Sequence, residues 1–183
     1  MKSIIRTVPW ELERLRWAEG LAEELPQAEL VLDRHHSAYD TMLRALLLQG
    51  DEGAWHFEDD AILTSRWEVK AEWERSQHPD RVIQGFSRLK ADAEVGSRWM
   101  AGRTFYYCIC FWVPGAMARP LHDHLKAWWD ERGHDEEAFD YAMQTFIHRY
   151  WLVVPSLVQH REAKSMIGGP GRHPHRQSST FVA

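Results

Sequence analysis

The sequence predicts one α/β domain in which a mixed, mostly parallel sheet is flanked by helices, as in Rossmann-like folds. The chain has 183 residues, which is long enough for one domain with its own core. Its first third alternates short apolar runs with amphipathic segments in β-α-β-α-β order, which predicts parallel strands joined by right-handed crossovers. The later stretch "TFYYCICFWV" is apolar at nearly every position, as expected of a central strand covered on both faces.

In the first third, "KSIIRTV" predicts the first strand, and Thr7 with Pro9 predicts the cap and first turn of a helix over 9–24. "ELVLDR" predicts the second strand. Ser37 followed by Asp40 resembles a capping box and predicts the start of a second helix. "AWHF" predicts the third strand, which leads directly into an acidic cluster.

In the rest of the chain, we predict helices over 67–75 and 116–132 and another helix starting near residue 135. "RVIQGF" predicts a strand, residues 91–102 a loop, and "YWLVVPSLVQH" the final strand running into a loop. The domain is predicted to span 1–168. Residues 169–183 are rich in Gly, Pro, His and Ser, which predicts a flexible basic tail.

Composition and charge restrict the class of protein. Hydrophobic residues make up 44% and charged residues 27% of the chain, which is ordinary for a globular protein, and the net charge of −5 argues against a general nucleic-acid coat. Cys108 and Cys110 are predicted to be buried thiols in a reducing compartment. No signal peptide or membrane-spanning run is apparent, so we expect a cytoplasmic protein.

Three consecutive carboxylates, Glu58, Asp59 and Asp60, follow the third predicted strand. In parallel sheets, ligands bind at the carboxyl ends of strands. Like charges placed together need a cation or hydrogen-bond donors, and hard oxygen ligands suit Mg²⁺ or Mn²⁺. The alternative is an acidic turn at the start of the next helix, where acids are also favourable.

Two stretches resemble the GT-A-fold glycosyltransferases. "WHFEDDAIL" is similar to the Asp-x-Asp metal-binding region of that family, and "VVPSLVQHREAKSMIG" is similar to its carboxyl-terminal strand and following loop. The resemblance implies a GT-A-like fold and a hexosyl- or pentosyltransferase that uses a nucleotide-diphosphate sugar, most simply a UDP-sugar, with Mn²⁺ or Mg²⁺. It further implies that Asp60 and His160 ligate the metal.

The same resemblance implies roles for other residues. Glu58 would be a further metal ligand, and Glu58 or Asp59 would contact the donor ribose or hold metal-bound waters. The remaining candidates for donor binding are Arg6, Asp33, Arg161, Lys164 and Ser165. If the reaction inverts the sugar, a base is needed, and the acidic helix start "GHDEEAFDYAM" offers Asp135, then Glu136, then Asp140. Acids that only compensate a helix dipole are the alternative there.

The acceptor is the least determined part of this hypothesis. Compact transferases of this kind resemble the phage enzymes that glycosylate hydroxymethylated pyrimidines in DNA, which favours modified DNA as acceptor and, for a phage protein, the host cytoplasm. Ten tryptophans and a basic edge beyond His160 suit a flipped base and its phosphates. A saccharide, lipid or protein acceptor is the alternative.

The sequence leaves two other functional classes open. Asp60 with Glu68 and Lys70 resembles the signature of metal-dependent nucleases, which needs the second pair on a strand beside the first acid. An inert binding module that keeps the fold is the other class. His122 and His124 point about 200° apart on the predicted helix, so they are not expected to share a metal.

Overall fold

A computed structural model describes residues 1–25, 27–132, 139–162 and 177–183. Its elements, in chain order, are β1 (Ser3–Thr7), α1 (Leu12–Glu24), β2 (Ala28–Leu32), α2 (Ala38–Gln49), β3 (Ala54–Glu58), β4 (Ala61–Leu63), α3 (Trp67–Gln77), β5 (Ile83–Gln84), α4 (Asp92–Val95), β6 (Arg98–Ala101), β7 (Cys110–Val113), α5 (Gly115–Arg132), α6 (Phe139–Phe146), β8 (Arg149–Leu152) and β9 (Val158–His160).

Seven strands form one mixed sheet in the order β2-β1-β3-β7-β5-β8-β6. Strand β1 pairs in parallel with β2 and β3, and β5 pairs in parallel with β8. Strand β7 runs antiparallel between β3 and β5, and β6 runs antiparallel to β8. The predicted α/β class, with a mixed Rossmann-like sheet flanked by helices in one domain, is confirmed.

Two apolar clusters cover the two faces of the sheet. On one face, α1 and α3 pack on β1 and β3 through buried residues that include Ile5, Phe57, Leu21 and Trp67. On the other face, α2, α5 and α6 pack on β7 through residues that include Leu46, Phe111, Leu121 and Met143. Alternating side chains of β1 and β3 therefore point to opposite helical layers.

The starts of the first two helices differ in how well the local sequence predicts them. Ser37 caps α2 as predicted, because its Oγ accepts a hydrogen bond from the Asp40 amide at 3.1 Å. The predicted start of α1 at Pro9 is wrong, since α1 begins at Leu12. Thr7 stays in β1, where it pairs with Leu32, so it cannot cap a helix.

Three further predictions in the second half need correction. Residues 91–102 are not a loop, because they form α4 and β6. The central strand is shorter than predicted, since Tyr107 adopts a positive φ of 59° and the ladder starts only at Cys110. The stretch predicted as one final strand is two, β8 and β9, divided around Pro155, which has no amide proton to extend a ladder.

Residues 177–183, which fall in the predicted tail, pack beside β9. The Ser178 amide donates to Gln159 Oε1 at 2.6 Å, and the Ser178 hydroxyl donates to Ser156 Oγ at 2.8 Å. Ser178 and Thr180 are both buried. The chain therefore returns to β9 after the segment 163–176, which lies outside the described residues.

Cys108 and Cys110 are buried free thiols, as predicted. Burial raises the pKa of both thiols well above the ordinary value, so neither is a reactive thiolate. Within the described ranges, no helix has the length and apolar character needed to cross a bilayer.

Candidate metal centre

The acidic cluster lies where the parallel part of the sheet ends. Strands β1, β2 and β3 run in the same direction, so their carboxyl ends form one edge of the sheet. Glu58 is the last residue of β3, Asp59 and Asp60 form a turn, and β4 begins at Ala61. At this turn the chain leaves the seven-stranded sheet and enters a two-stranded sheet formed by β4 and β9.

The small sheet brings His160 to this turn. Strands β4 and β9 pair antiparallel, with Ala61 opposite His160. The Arg161 amide extends the pairing by donating to the Asp60 carbonyl oxygen at 2.8 Å. Two backbone pairings therefore hold Asp60 and His160 together, although the two residues are far apart in the chain.

The side chains of Glu58, Asp60 and His160 offer three ligand atoms that all lie within 4.8 Å of one another. His160 Nε2 lies 3.2 Å from Asp60 Oδ2. Asp60 and His160 are 2% and 5% exposed, and Glu58 is half-buried. Two carboxylates and one imidazole are a donor set that suits Mn²⁺, with Mg²⁺ as the harder alternative. The residues therefore fit a divalent cation.

The structure adds a basic residue, Arg14 of α1, that none of the sequence motifs contains. Its Nη2 contacts Asp59 Oδ1 and lies 2.8 Å from Asp60 Oδ2, and its Nε lies 2.9 Å from Asp59 Oδ1. One guanidinium thus bridges two carboxylates that are each 2% exposed. The Arg14 side chain is mostly buried, on the side of α1 that faces the sheet.

Burial and charge act against each other on these groups. Burial raises the pKa of the Asp59 carboxyl above its usual value, even though the Arg14 hydrogen bond and charge lower it. Burial acts to lower the pKa of Arg14, but the hydrogen bond to Asp59 and the nearby carboxylate charges outweigh it, so the pKa rises. His160 shows the same balance: burial lowers its pKa, and contact with Asp60 and the charge of Glu58 raise it overall.

Three of the residues assigned to the donor are engaged inside the fold. Arg6 is 7% exposed, donates from Nη2 to the Cys108 carbonyl oxygen at 2.7 Å and stacks its guanidinium carbon 4.9 Å from the centre of the Phe139 ring. Asp33 Oδ1 accepts from the amides of His35 and Ser37 and so orders the loop before α2. Arg6, Asp33 and Asp59 thus each make contacts within the fold, and their assignment to the donor stays a prediction.

The other predicted site residues divide into two groups. Arg161 follows His160 directly, and its guanidinium carbon lies 5.5 Å from the centre of the Trp17 ring on α1. Asp140 lies in the first turn of α6, which starts beside Arg6. The candidate base residues Asp135 and Glu136 and the candidate donor residues Lys164 and Ser165 lie outside the described residues.

No protein-family model matches the chain, and no curated protein matches it. Among solved structures, the chain is similar to A197 from STIV, with a TM-score of 0.51 and 12% sequence identity. That alignment covers 91% of this chain and 87% of A197. At this identity the likeness shows the shared fold alone.

Proposed function

We propose that this protein is a metal-dependent glycosyltransferase that moves a sugar from a nucleotide-diphosphate sugar, in the simplest case a UDP-sugar, to a hydroxyl acceptor. The observation that carries the proposal is the meeting of Glu58, Asp60 and His160 at the carboxyl edge of a Rossmann-like sheet. Ligands of such sheets bind at that edge. The three residues come from the two stretches on which the resemblance to GT-A enzymes rests.

In this proposal, Asp60, His160 and Glu58 hold the cation and set its position at the sheet edge. Bound Mn²⁺ or Mg²⁺ would offset the negative charge that develops on the diphosphate as it leaves the sugar. Arg161, which follows the proposed ligand His160, is proposed to meet a second phosphate oxygen. Lys164 and Ser165 are proposed to act with it.

The attacking hydroxyl loses its proton as the new glycosidic bond forms. If the reaction inverts the sugar, we propose Asp135 as the general base and Glu136 as the second candidate. The start of α6 supports this placement, because Phe139 packs on Arg6, and Arg6 is the register partner of Glu58. The described start of α6 therefore lies beside β1, next to the strand end that carries Glu58.

The proposed acceptor is hydroxymethylated pyrimidine in DNA. Exposed aromatic side chains can stack on a base, and the basic residues around and beyond His160 can meet phosphates. The partly exposed or exposed tryptophans include Trp10, Trp73 and Trp99. A saccharide, lipid or protein hydroxyl is the alternative acceptor.

The donor half of the proposal is tested by hydrolysis of UDP-sugars with and without Mn²⁺. We expect metal-dependent release of UDP that is lost in Asp60→Asn and in His160→Ala. Two exposed residues of the same types supply matched controls, Asp123→Asn on α5 and His148→Ala before β8, which should keep the activity. Equal activity in Asp60→Asn and Asp123→Asn would refute the proposed site.

The acceptor half is tested by mass spectrometry of hydroxymethylated DNA incubated with a panel of UDP-sugars. A gain of one hexose or pentose per modified base, absent with unmodified DNA, is the expected result. If UDP release is observed but no base gains mass, the acceptor is not DNA and the transferase assignment stands.

The structure bears on the nuclease alternative. Glu68 and Lys70 lie on helix α3, and Lys70 Nζ donates to Thr64 Oγ1 at 3.0 Å. The nuclease signature needs that pair on a strand beside Asp60, so the described geometry does not favour it. Incubation of the protein with DNA and Mn²⁺ should leave the DNA uncut.

A further inference from the structure

The three carboxylates of the acidic cluster do not all face the candidate metal position. Successive residues after a strand point in different directions, and here Glu58 and Asp60 meet His160, while Asp59 turns to α1 and meets Arg14. Asp59 and Asp60 are adjacent in the chain and equally buried. A guanidinium that bonds to both carboxylates restricts the turn between them.

Arg14 and His160 contact the same oxygen of Asp60. Arg14 Nη2 lies 2.8 Å and His160 Nε2 lies 3.2 Å from Asp60 Oδ2. Arg14 is anchored independently by its Nε, which donates to Asp59 Oδ1 at 2.9 Å. The orientation of the Asp60 carboxylate is therefore fixed from the α1 side, by a residue that offers no ligand atom itself.

The net charge of the acidic cluster is also compatible with a divalent cation. Glu58, Asp59 and Asp60 carry three negative charges when ionised, and Arg14 carries one positive charge. With His160 neutral the sum is −2, which matches a divalent cation. Arg14 pairs with Asp59, the carboxylate outside the ligand cluster, and with the proposed ligand Asp60.

We propose that Arg14 is the positioning residue of the metal centre: its guanidinium bridges Asp59 and Asp60 and so holds Asp60 in the orientation that shares a cation with His160. This inference rests on the proposed function. Some residues do not bind the metal themselves but hydrogen-bond to its ligands and orient them. Replacing such a residue typically weakens metal binding by about 10- to 100-fold.

The test is Mn²⁺ affinity, measured by electron paramagnetic resonance of free Mn²⁺ at a temperature well below each variant's Tm. Arg14→Lys keeps the charge, but a single ammonium on a shorter side chain loses the two-nitrogen bridge. We expect it to weaken Mn²⁺ binding by about tenfold. Arg16→Lys, an exposed position on the same helix, is the matched control and should bind Mn²⁺ as the wild type does.

A second variant separates positioning from simple charge competition. If Arg14 only competed with the metal for Asp60, Arg14→Met would bind Mn²⁺ more tightly than the wild type, and that result would overturn the proposal. Equal affinity of Arg14→Lys and the wild type would also overturn it. Weaker binding in both variants, with folding confirmed by circular dichroism, supports it.

The outcomes distinguish this inference from the proposed function. If the wild type binds Mn²⁺, and Asp60→Asn does not, while Arg14→Lys binds normally, only the role of Arg14 falls. If the wild type does not bind Mn²⁺ at all, the metal centre and the role of Arg14 fall together.

Discussion

Replacing Arg14 by methionine should cost a large part of the stability of the metal-free protein. The change removes the guanidinium that bridges Asp59 and Asp60, each of which is 2% exposed. Removing one partner of a buried ion pair typically costs about 3–5 kcal/mol, because the remaining charge stays buried without compensation. Arg14 itself is 13% exposed at the side chain, so we expect the lower end, about 3 kcal/mol.

Urea unfolding in the presence of a chelator measures this loss, because bound metal would otherwise stabilise the folded state. For a chain of this length, 1 kcal/mol corresponds to roughly 2–4 °C in Tm, so the variant should melt about 6–12 °C lower. Arg16→Met, exposed on the same helix, should change the unfolding free energy by less than about 0.5 kcal/mol.

A double-mutant cycle assigns the loss to the ion pair. In Arg14→Met/Asp59→Asn, the neutral amide that replaces the Asp59 carboxylate needs no countercharge, so the double variant should be more stable than Arg14→Met alone. The reasoning is refuted if Arg14→Met unfolds within about 0.5 kcal/mol of the wild type. It is also refuted if the second substitution restores no stability.

Other contacts lead to three further predictions. Mn²⁺ at a hundred times its Kd should add about 2.7 kcal/mol to the unfolding free energy, seen as a higher Tm that Asp60→Asn abolishes; an equal shift in that variant would contradict a site at Asp60. Burial raises the pKa of Glu74, although Trp151 Nε1 donates to it at 2.8 Å, so the ionised carboxylate destabilises the fold. The protonated Glu74 carboxyl therefore contributes stability at a pH below its pKa in the unfolded chain. This contribution is lost as the pH rises through the higher pKa that Glu74 has in the folded protein. Glu74→Gln should be more stable than the wild type at pH near 7 and lose that advantage near pH 4, and a less stable variant at neutral pH would contradict this. Gly102→Ala should lower the unfolding free energy by about 2 kcal/mol or more, because its Cβ would lie 1.3 Å from a backbone oxygen. Gly20→Ala, with open space on α1, should raise the unfolding free energy by about 0.5–1 kcal/mol. Thermal unfolding of both variants checks this difference, and equal Tm values would contradict it.

The parts of the fold that the sequence predicts are those with a local cause. Ser37 caps α2 through a hydrogen bond to a residue three positions on, so the pattern contains both partners. β6 is different, because its four residues form a strand only through pairing with β8, about fifty residues later in the chain. Local signals in 91–102, where Gly96 and Gly102 suggest a loop, are overridden by that pairing.

The candidate site shows the same division between local and distant causes. The sequence connects Asp60 with His160 only because two separate stretches resemble one family, and the pairing of β4 with β9 is what brings them into contact. The position of Arg14 does carry a signal: it lies four residues before Ala18 and seven before Leu21, which are both buried on the inner side of α1. An arginine in that line faces the core, where a charge needs a partner of opposite sign. The three carboxylates at the end of β3 are the nearest unexplained charges in the predicted topology. A charged residue on an apolar helical stripe and an acidic cluster at a neighbouring strand end are each ambiguous alone, but together they predict the ion pair that the structure contains.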